Sequence, residues 1–284
     1  MDISWAKALI IASTLSSSNC WANEVYVRQV GDNIDMTITQ DGANNKITGL
    51  GGNSSKAQVT GNNTSTTYTQ TGDTNQVRVW MSSGNGINNV SQTGDNNSVR
   101  LDCHGNNCVI DIEQNGNSNY VNAELGNGGD NDQTIIIDQD GNYNFAKVEA
   151  NGDDNTITVD QDGNNHIVHG YGNTPITGDR NTITLVQDGS QHNQAQAKVV
   201  GNDNTIDGYQ GGQYNFGRLV LTGDDHDVTS SQEGTGSHSM TLDLTNGGGA
   251  YTVNTIQDSS TGQTYSMTGT CTNSSGCGIT VTQY

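Results

Sequence analysis

A Gln-x-Gly unit recurs along most of this chain, and its spacing constrains the fold more than any other feature. The unit stands at Gln29, Gln40, Gln70, Gln92, Gln114, Gln139, Gln161, Gln187, Gln210 and Gln232, and Gln257 and Gln283 continue the series without the glycine. From Gln70 onward the steps are 22, 22, 25, 22, 26, 23, 22, 25 and 26 residues; the longer steps read as turn insertions, as in Leu125-Gly-Asn-Gly-Gly-Asp, and the 30-residue step from Gln40 to Gln70 is the largest. Self-similarity at such a period marks a repeat architecture, in which each unit buries its apolar face only by stacking on its neighbours. A second punctuation of Gly with Asn and Asp lies between successive units, as in Gly152-Asp-Asp-Asn155, Gly178-Asp-Arg-Asn181 and Gly201-Asn-Asp-Asn204. Each repeat of roughly 22 residues therefore divides into two halves of about 11, each a short strand plus a turn.

Counting back from each Gln sets the phase of the first strand. Ile110 and Ile112, Ile135 and Ile137, Ile157 and Val159, Ile183 and Leu185, and Ile279 and Val281 stand four and two residues before it, with Asp111, Thr158, Thr184 and Thr280 between them. This is period-2 alternation, with one face in and one face out. Counting forward from the turn Asn gives the second strand: Val77, Val79 and Met81 after Asn75, and Val99, Leu101 and Cys103 after Asn97. The Gln shares the phase of the apolar set and should point inward. A buried amide is costly unless paired, and identical amides about 4.8 Å apart can pair along the stacking axis. The expected fold is an all-β solenoid of about ten two-strand rungs, with Gln40, Gln70, Gln92, Gln114, Gln139, Gln161, Gln187, Gln210, Gln232, Gln257 and Gln283 as its internal ladder. A single Pro among 284 residues fits, because interior rungs need every backbone N–H.

Composition decides which other classes remain. Only 30% of residues are hydrophobic and the formal charge is −20, values that would read as disorder without the alternation. The acidic balance argues against a nucleic-acid backbone as partner and against an anionic membrane surface. No composition break or linker divides the repeats, so residues 23–284 read as one repeat domain. Residues 1–22 are a separate object. Lys7 precedes the apolar run Ala8-Leu9-Ile10-Ile11-Ala12, and Cys20-Trp21-Ala22 forms a cleavage site, the three parts of a secretory signal peptide. The run is well short of the roughly 20 residues of a membrane span.

The spaced motif Gln-x-Gly-x-x-Asn-x-small, as in Gln70-Thr-Gly72-Asp-Thr-Asn75-Gln-Val77 and Gln139-Asp-Gly141-Asn-Tyr-Asn144-Phe-Ala146, resembles the curlin repeat. Curlins are subunits of curli, the secreted amyloid fibres of bacterial biofilm matrix. The resemblance covers nearly all of residues 23–284. It implies an exported, extracellular subunit that polymerises with itself at the cell surface and supports adhesion and aggregation, with other curlin-like subunits and an outer-membrane secretion pore as further partners. Three departures stand out. Curlin repeats carry a second Gln 11 residues after the first, which only Gln29 and Gln40 reproduce; elsewhere Met81, Cys103, Leu125 or Ala150 fills that slot. Where curlins have Ser six residues before the Gln, this chain has Asn155, Asn181 and Asn204. The family's segment that addresses the secretion pore has no clear counterpart after Asn23.

Other constellations are weak, and no residue set points to catalysis, a cofactor or a metal. His104, His166, His169, His192, His226 and His238 lack any metal-ligand or catalytic spacing and read as turn and surface residues. Asp41, Asp140, Asp162 and Asp188 form acidic columns that are either weak calcium sites or, more in keeping with the absent calcium-binding nonapeptide, solvated charges. Tyr120, Phe145 and Phe216 follow a turn Asn and should point outward. Cys108 and Cys277 lie six residues before a ladder Gln, with Cys103 and Cys271 across the preceding turn. In an exported chain this phase pairs Cys103 with Cys108 and Cys271 with Cys277, whereas a zinc site of all four would need rungs far apart in the array to meet. A monomeric extracellular solenoid binding protein, an adhesin or an ice-binding type, is the alternative function; Thr156–Thr158 and Thr182–Thr184 are its only hint. A polysaccharide-degrading solenoid would need a broad groove that two-strand rungs do not provide.

Overall fold

The computed structural model describes residues 8–10, 22–31, 33–50, 55–82, 86–103, 106–124, 132–150, 152–170, 176–246 and 249–284. All of its regular elements are strands. They fall in two compact units, Met1–Asn142 and Tyr143–Tyr284. Each is a stack of parallel strands in two facing sheets, a β-solenoid, with about ten turns in the chain.

In the first unit the Gln-bearing strands Asp35–Asp41, Ser65–Thr71, Ile87–Thr93, Val109–Asn115 and Thr134–Asn142 run parallel. Their register places Gln40 beside Gln70, then Gln92, Gln114 and Gln139. The opposite sheet stacks Lys46–Thr48, Gln76–Ser82, Ser98–Cys103 and Tyr120–Val121, with Val77 over Val99 and Val99 over Val121. In the second unit Thr156–Asn164, Thr182–Gln191, Thr205–Gln213, Asp227–Glu233, Tyr251–Asp258 and Cys277–Gln283 continue the pattern from Gln161 to Gln283. Facing them are Phe145–Lys147, Ile167–Gly170, Gln194–Ala197, an isolated bridge at Phe216, then Ser239–Asn246 and Thr264–Cys271.

The alternation read from the sequence is the reason these strands form one thin core. Ile110 and Ile112 stack on Ile135 and Ile137, and Ile157 and Val159 on Ile183 and Leu185. All eight are at most 4% exposed. Burial of each such side chain is worth about 1.5–3 kcal/mol. Tyr120, Phe145 and Phe216 alternate with buried neighbours and are half-buried on the outer side.

The turns between strands carry two positive-φ residues, not one. Gly72 (φ 102°) is followed by Thr74 (φ 66°), and Gly94 (φ 103°) by Asn96 (φ 60°). The glycine is required twice over. A Cβ on Gly94 would lie 2.1 Å from the carbonyl oxygen of Gly116 in the next rung, far inside the approach of non-bonded heavy atoms.

One expectation is corrected. The 30-residue step from Gln40 to Gln70 does not hold its extra residues in a turn. Lys46–Thr48 and Ala57–Thr60 both pair with Gln76–Ser82, Ile47 beside Val77 and Val59 beside Met81. Both segments thus belong to one interrupted strand position, and between them the Gly49 N–H donates to the Ser55 carbonyl (2.8 Å). The insertion can sit there because the segments on either side keep register with the rung below. The other proposed insertion, at Leu125, lies outside the described residues. Ala8–Ile10 also forms a strand, parallel to Met36–Ile38 on the outer edge of the first Gln-bearing strand.

Candidate functional site: the internal ladders and the strand ends

Most of the buried ladder Gln residues, Gln70, Gln92, Gln161, Gln187, Gln210, Gln232 and Gln257 among them, use both amide hydrogens. In the second unit, Nε2 of Gln161 donates to Oε1 of Gln187 (2.8 Å), Gln187 to Gln210 (2.8 Å), Gln210 to Gln232 (2.8 Å), Gln232 to Gln257 (2.9 Å) and Gln257 to Gln283 (2.9 Å). The first unit repeats this from Gln40 through Gln70, Gln92 and Gln114 to Gln139. The other hydrogen crosses the core to a carbonyl of the opposite sheet: Gln92 to Gln76 (3.2 Å), Gln187 to Ile167 (3.2 Å) and Gln232 to Phe216 (3.0 Å). The amide thus ties successive rungs and also the two sheets. Its direction is constant, donor toward the C-terminus and acceptor toward the N-terminus.

The turn Asn builds a second ladder. Nδ2 of Asn75 donates to the Thr71 carbonyl within its turn (3.2 Å) and to the Gly94 carbonyl of the next rung (2.7 Å), while Oδ1 accepts the N–H of Asn97 (2.9 Å). Asn155, Asn181 and Asn204 form a third ladder at the other turn of the second unit, Oδ1 of each accepting the next N–H (2.9 and 3.0 Å). The slot six residues before the ladder Gln is therefore structural in this chain. The acidic turns are also bonded in register. Oδ1 of Asp95 accepts the Asp73 N–H (2.8 Å), and Oδ1 of Asp179 accepts the Asp153 N–H (2.8 Å).

Three histidines contradict their reading as surface residues. His166, His226 and His238 are at most 1% exposed and occupy Asn slots in these ladders. Nε2 of His166 faces the carbonyls of Asp162 (3.1 Å) and Gly189 (3.0 Å), and Nδ1 accepts the N–H of Asn193 (3.2 Å). That network assigns the proton to Nε2. His226 does the same, with Nε2 at the Thr222 carbonyl and Nδ1 accepting the Tyr251 N–H (3.0 Å). A neutral imidazole offers one donor and one acceptor on opposite sides, as the Asn amide does, and so fits. Burial lowers the pKa of His166 below the ordinary histidine value, outweighing the two carbonyls that favour its charged form. His192 alone behaves as expected, exposed and stacked on Tyr214 at 5.2 Å. His104 and the His169 side chain lie outside the described residues. A repeat-phase signal was present: His166 stands five residues after Gln161, as Asn75 does after Gln70.

Disulfides join Cys103 to Cys108 and Cys271 to Cys277, each across one turn. Met81, Cys103 and Ala150, which fill the slot of the absent second Gln, are fully buried.

The last described rung is a strand in full register that pairs, among the described residues, on one side. Cys277–Gln283 pairs with Tyr251–Asp258 on one side, Ile279 beside Val253 and Gln283 beside Gln257. Ile279 and Val281 are half-exposed, whereas their counterparts Val253 and Thr255 are each 1% exposed. Gln283 accepts from Gln257 and gives one hydrogen to the Thr264 carbonyl (3.4 Å), leaving one donor directed out of the stack. At the start of the ladder, Gln40 gives its amide to Gln70, and its own Oε1 has no donor among the described residues.

Parallel two-strand rungs with continuous internal amide ladders define a β-solenoid repeat protein. The family model of the curlin associated repeat matches residues 131–163, which hold the units at Gln139 and Gln161. No curated protein and no solved structure matches the chain. Repeat and fold together fit a curlin-like structural subunit.

Proposed function

We propose that this chain is an exported structural subunit whose solenoids stack end to end into curli-like extracellular fibres, supporting adhesion and aggregation in a biofilm matrix. The observation that carries this reading is the terminal strand Cys277–Gln283, in register, half-exposed at Ile279 and Val281, with a ladder donor to spare. The first ladder Gln offers the complementary acceptor. Unpaired strand edges are templates for another strand, and a heterologous contact that does not close yields a filament. Residues 1–22 act as a leader. Their removal takes away Ala8–Ile10 and leaves the Asp35–Asp41 edge open for the preceding subunit. The subunit acts through assembly, with no catalysis, and its partners are further copies, other curlin-like subunits and a secretion pore.

The test is the paired substitution Ile279→Lys and Val281→Lys in the mature chain. Charge at these inward positions should stop elongation, read by thioflavin fluorescence and electron microscopy, while the strand content of the earlier rungs persists by circular dichroism. Wild-type protein that stays monomeric for days at micromolar concentration replaces this reading with that of a monomeric binder. Outward Thr156 and Thr158 stacked on Thr182 and Thr184 would then be its candidate surface.

A further inference from the structure

The two sheets of each unit carry opposite charge patterns on their outer faces. In the first unit, Asp35, Asp41, Asp111, Glu113, Asp138 and Asp140 all point outward from the Gln-bearing sheet and are exposed. In the second, Asp160, Asp162, Asp188, Asp207, Asp227 and Glu233 do the same. None of these Gln-bearing strands contains a Lys or Arg.

The cations lie on the other sheet. Of the ten Lys and Arg in the chain, Lys7 is in the leader and Arg180 is in a turn, bound to Asp203 at 2.7 Å. Arg28, Lys46, Lys56, Arg78 and Arg100 belong to the opposite sheet of the first unit and its edges, and Lys147, Lys198 and Arg218 to that of the second. The few acids of this sheet include Glu24, Asp102 and Glu149, each already ion-paired with Lys46, Arg100 and Lys147.

We infer that these faces form a lateral docking surface whose occupant is a second copy of the same chain, its acidic Gln-bearing sheet laid on the cation-bearing sheet. Acidic faces repel each other, and two cation-bearing faces offer each other few unpaired carboxylates. Only the unlike pairing is complementary. The two faces lie on opposite sides of a unit, so the contact is heterologous and open, giving bundles and not closed pairs. The half-buried aromatics Tyr120, Phe145 and Phe216 on the cation-bearing side supply apolar contact area beneath the charges. In bundled fibres the inference rests on the end-to-end reading, but face pairing can also be read on soluble chains.

Salt separates this from simple repulsion between chains of charge −20. At about 10 mM salt the screening length of ~30 Å lets the net charge keep copies apart. Near 0.1 M it is ~10 Å, so the turn carboxylates are screened while touching faces still attract. At 1 M it falls to ~3 Å and the attraction fades too. Bundling should therefore peak near 0.1 M.

The experiment compares the mature chain with the variant Arg78→Gln, Lys198→Gln, Arg218→Gln by electron microscopy and sedimentation velocity across this salt range. The expected result is single filaments with lost bundling in the variant, and recovery of paired filaments when it is mixed with a second variant, Asp160→Lys, Asp207→Lys, through the one intact face of each. A bundling level that rises steadily to 1 M, or a variant that bundles like wild type, overturns the inference and leaves end-to-end assembly standing. Absent filaments with salt-peaked association that the variant loses sinks the end-to-end reading alone. Absence of both sinks both.

Discussion

Gln187→Leu tests whether the ladder holds the fold together. Gln187 is fully buried, accepts from Gln161 (2.8 Å) and donates to Gln210 (2.8 Å) and to the Ile167 carbonyl (3.2 Å). Leu keeps the bulk and removes the amide. Three buried groups then lose a partner: one N–H of Gln161, Oε1 of Gln210 and the Ile167 carbonyl. Each such loss costs about 1–3 kcal/mol, and the better burial of Leu returns about 2 kcal/mol. The expected net loss is about 1–7 kcal/mol, a large part of the ~5–15 kcal/mol that holds a domain. Adding Gln210→Leu moves the ladder break by one rung and orphans only one further group, the Gln194 carbonyl that Gln210 bonds at 3.0 Å. The second substitution should therefore cost less than half of the first, a coupling of at least ~1 kcal/mol. Urea unfolding of the soluble mature chain by circular dichroism measures both, and hydrogen exchange should place the lost protection in the rungs of Gln161, Gln187 and Gln210, since a rung contacts only its neighbours. A single-variant loss below about 1 kcal/mol, or strictly additive losses, would refute the argument.

Two further perturbations probe the turns. His166 has a pKa lowered by burial, so the stability that its neutral ring contributes is present above the ordinary histidine value of about 6.5 and is lost as pH falls through the lower folded value. His166→Asn keeps the ladder and removes that titration, so the variant should lose less stability than wild type between pH 7 and pH 5; equal losses in urea midpoint would contradict the assignment. Gly94→Ala should cost about 2–4 kcal/mol, from the positive φ and the 2.1 Å approach to Gly116, whereas Gly278→Ala, with nothing within 4 Å of the added methyl, should be near neutral. Equal midpoints for the two alanine variants would show that the stacked glycines are not needed.

Much of the fold is local information repeated. The inward Ile110/Ile112 pair, the phase of the ladder Gln and the cysteines facing each other across one turn follow from period-2 alternation and turn chemistry, which short stretches of chain carry on their own. The in-register stack also follows, because a slip by one residue would turn every apolar side chain outward. What depended on contacts between rungs was not legible in this way. The bond from Gln187 to the Ile167 carbonyl joins opposite sheets 20 residues apart. His166 had the right phase for an Asn slot, yet its role became visible only with the Asp162 and Gly189 carbonyls placed around Nε2. The step length showed that residues between Gln40 and Gln70 were in excess, but only the pairing decided that Lys46–Thr48 and Ala57–Thr60 share one partner strand, Gln76–Ser82. Charge followed the same division. Alternation says which residues point outward, but only the assembled sheets collect acids on one face and cations on the other, because a face is made of residues that are distant in the chain and adjacent only across the stack.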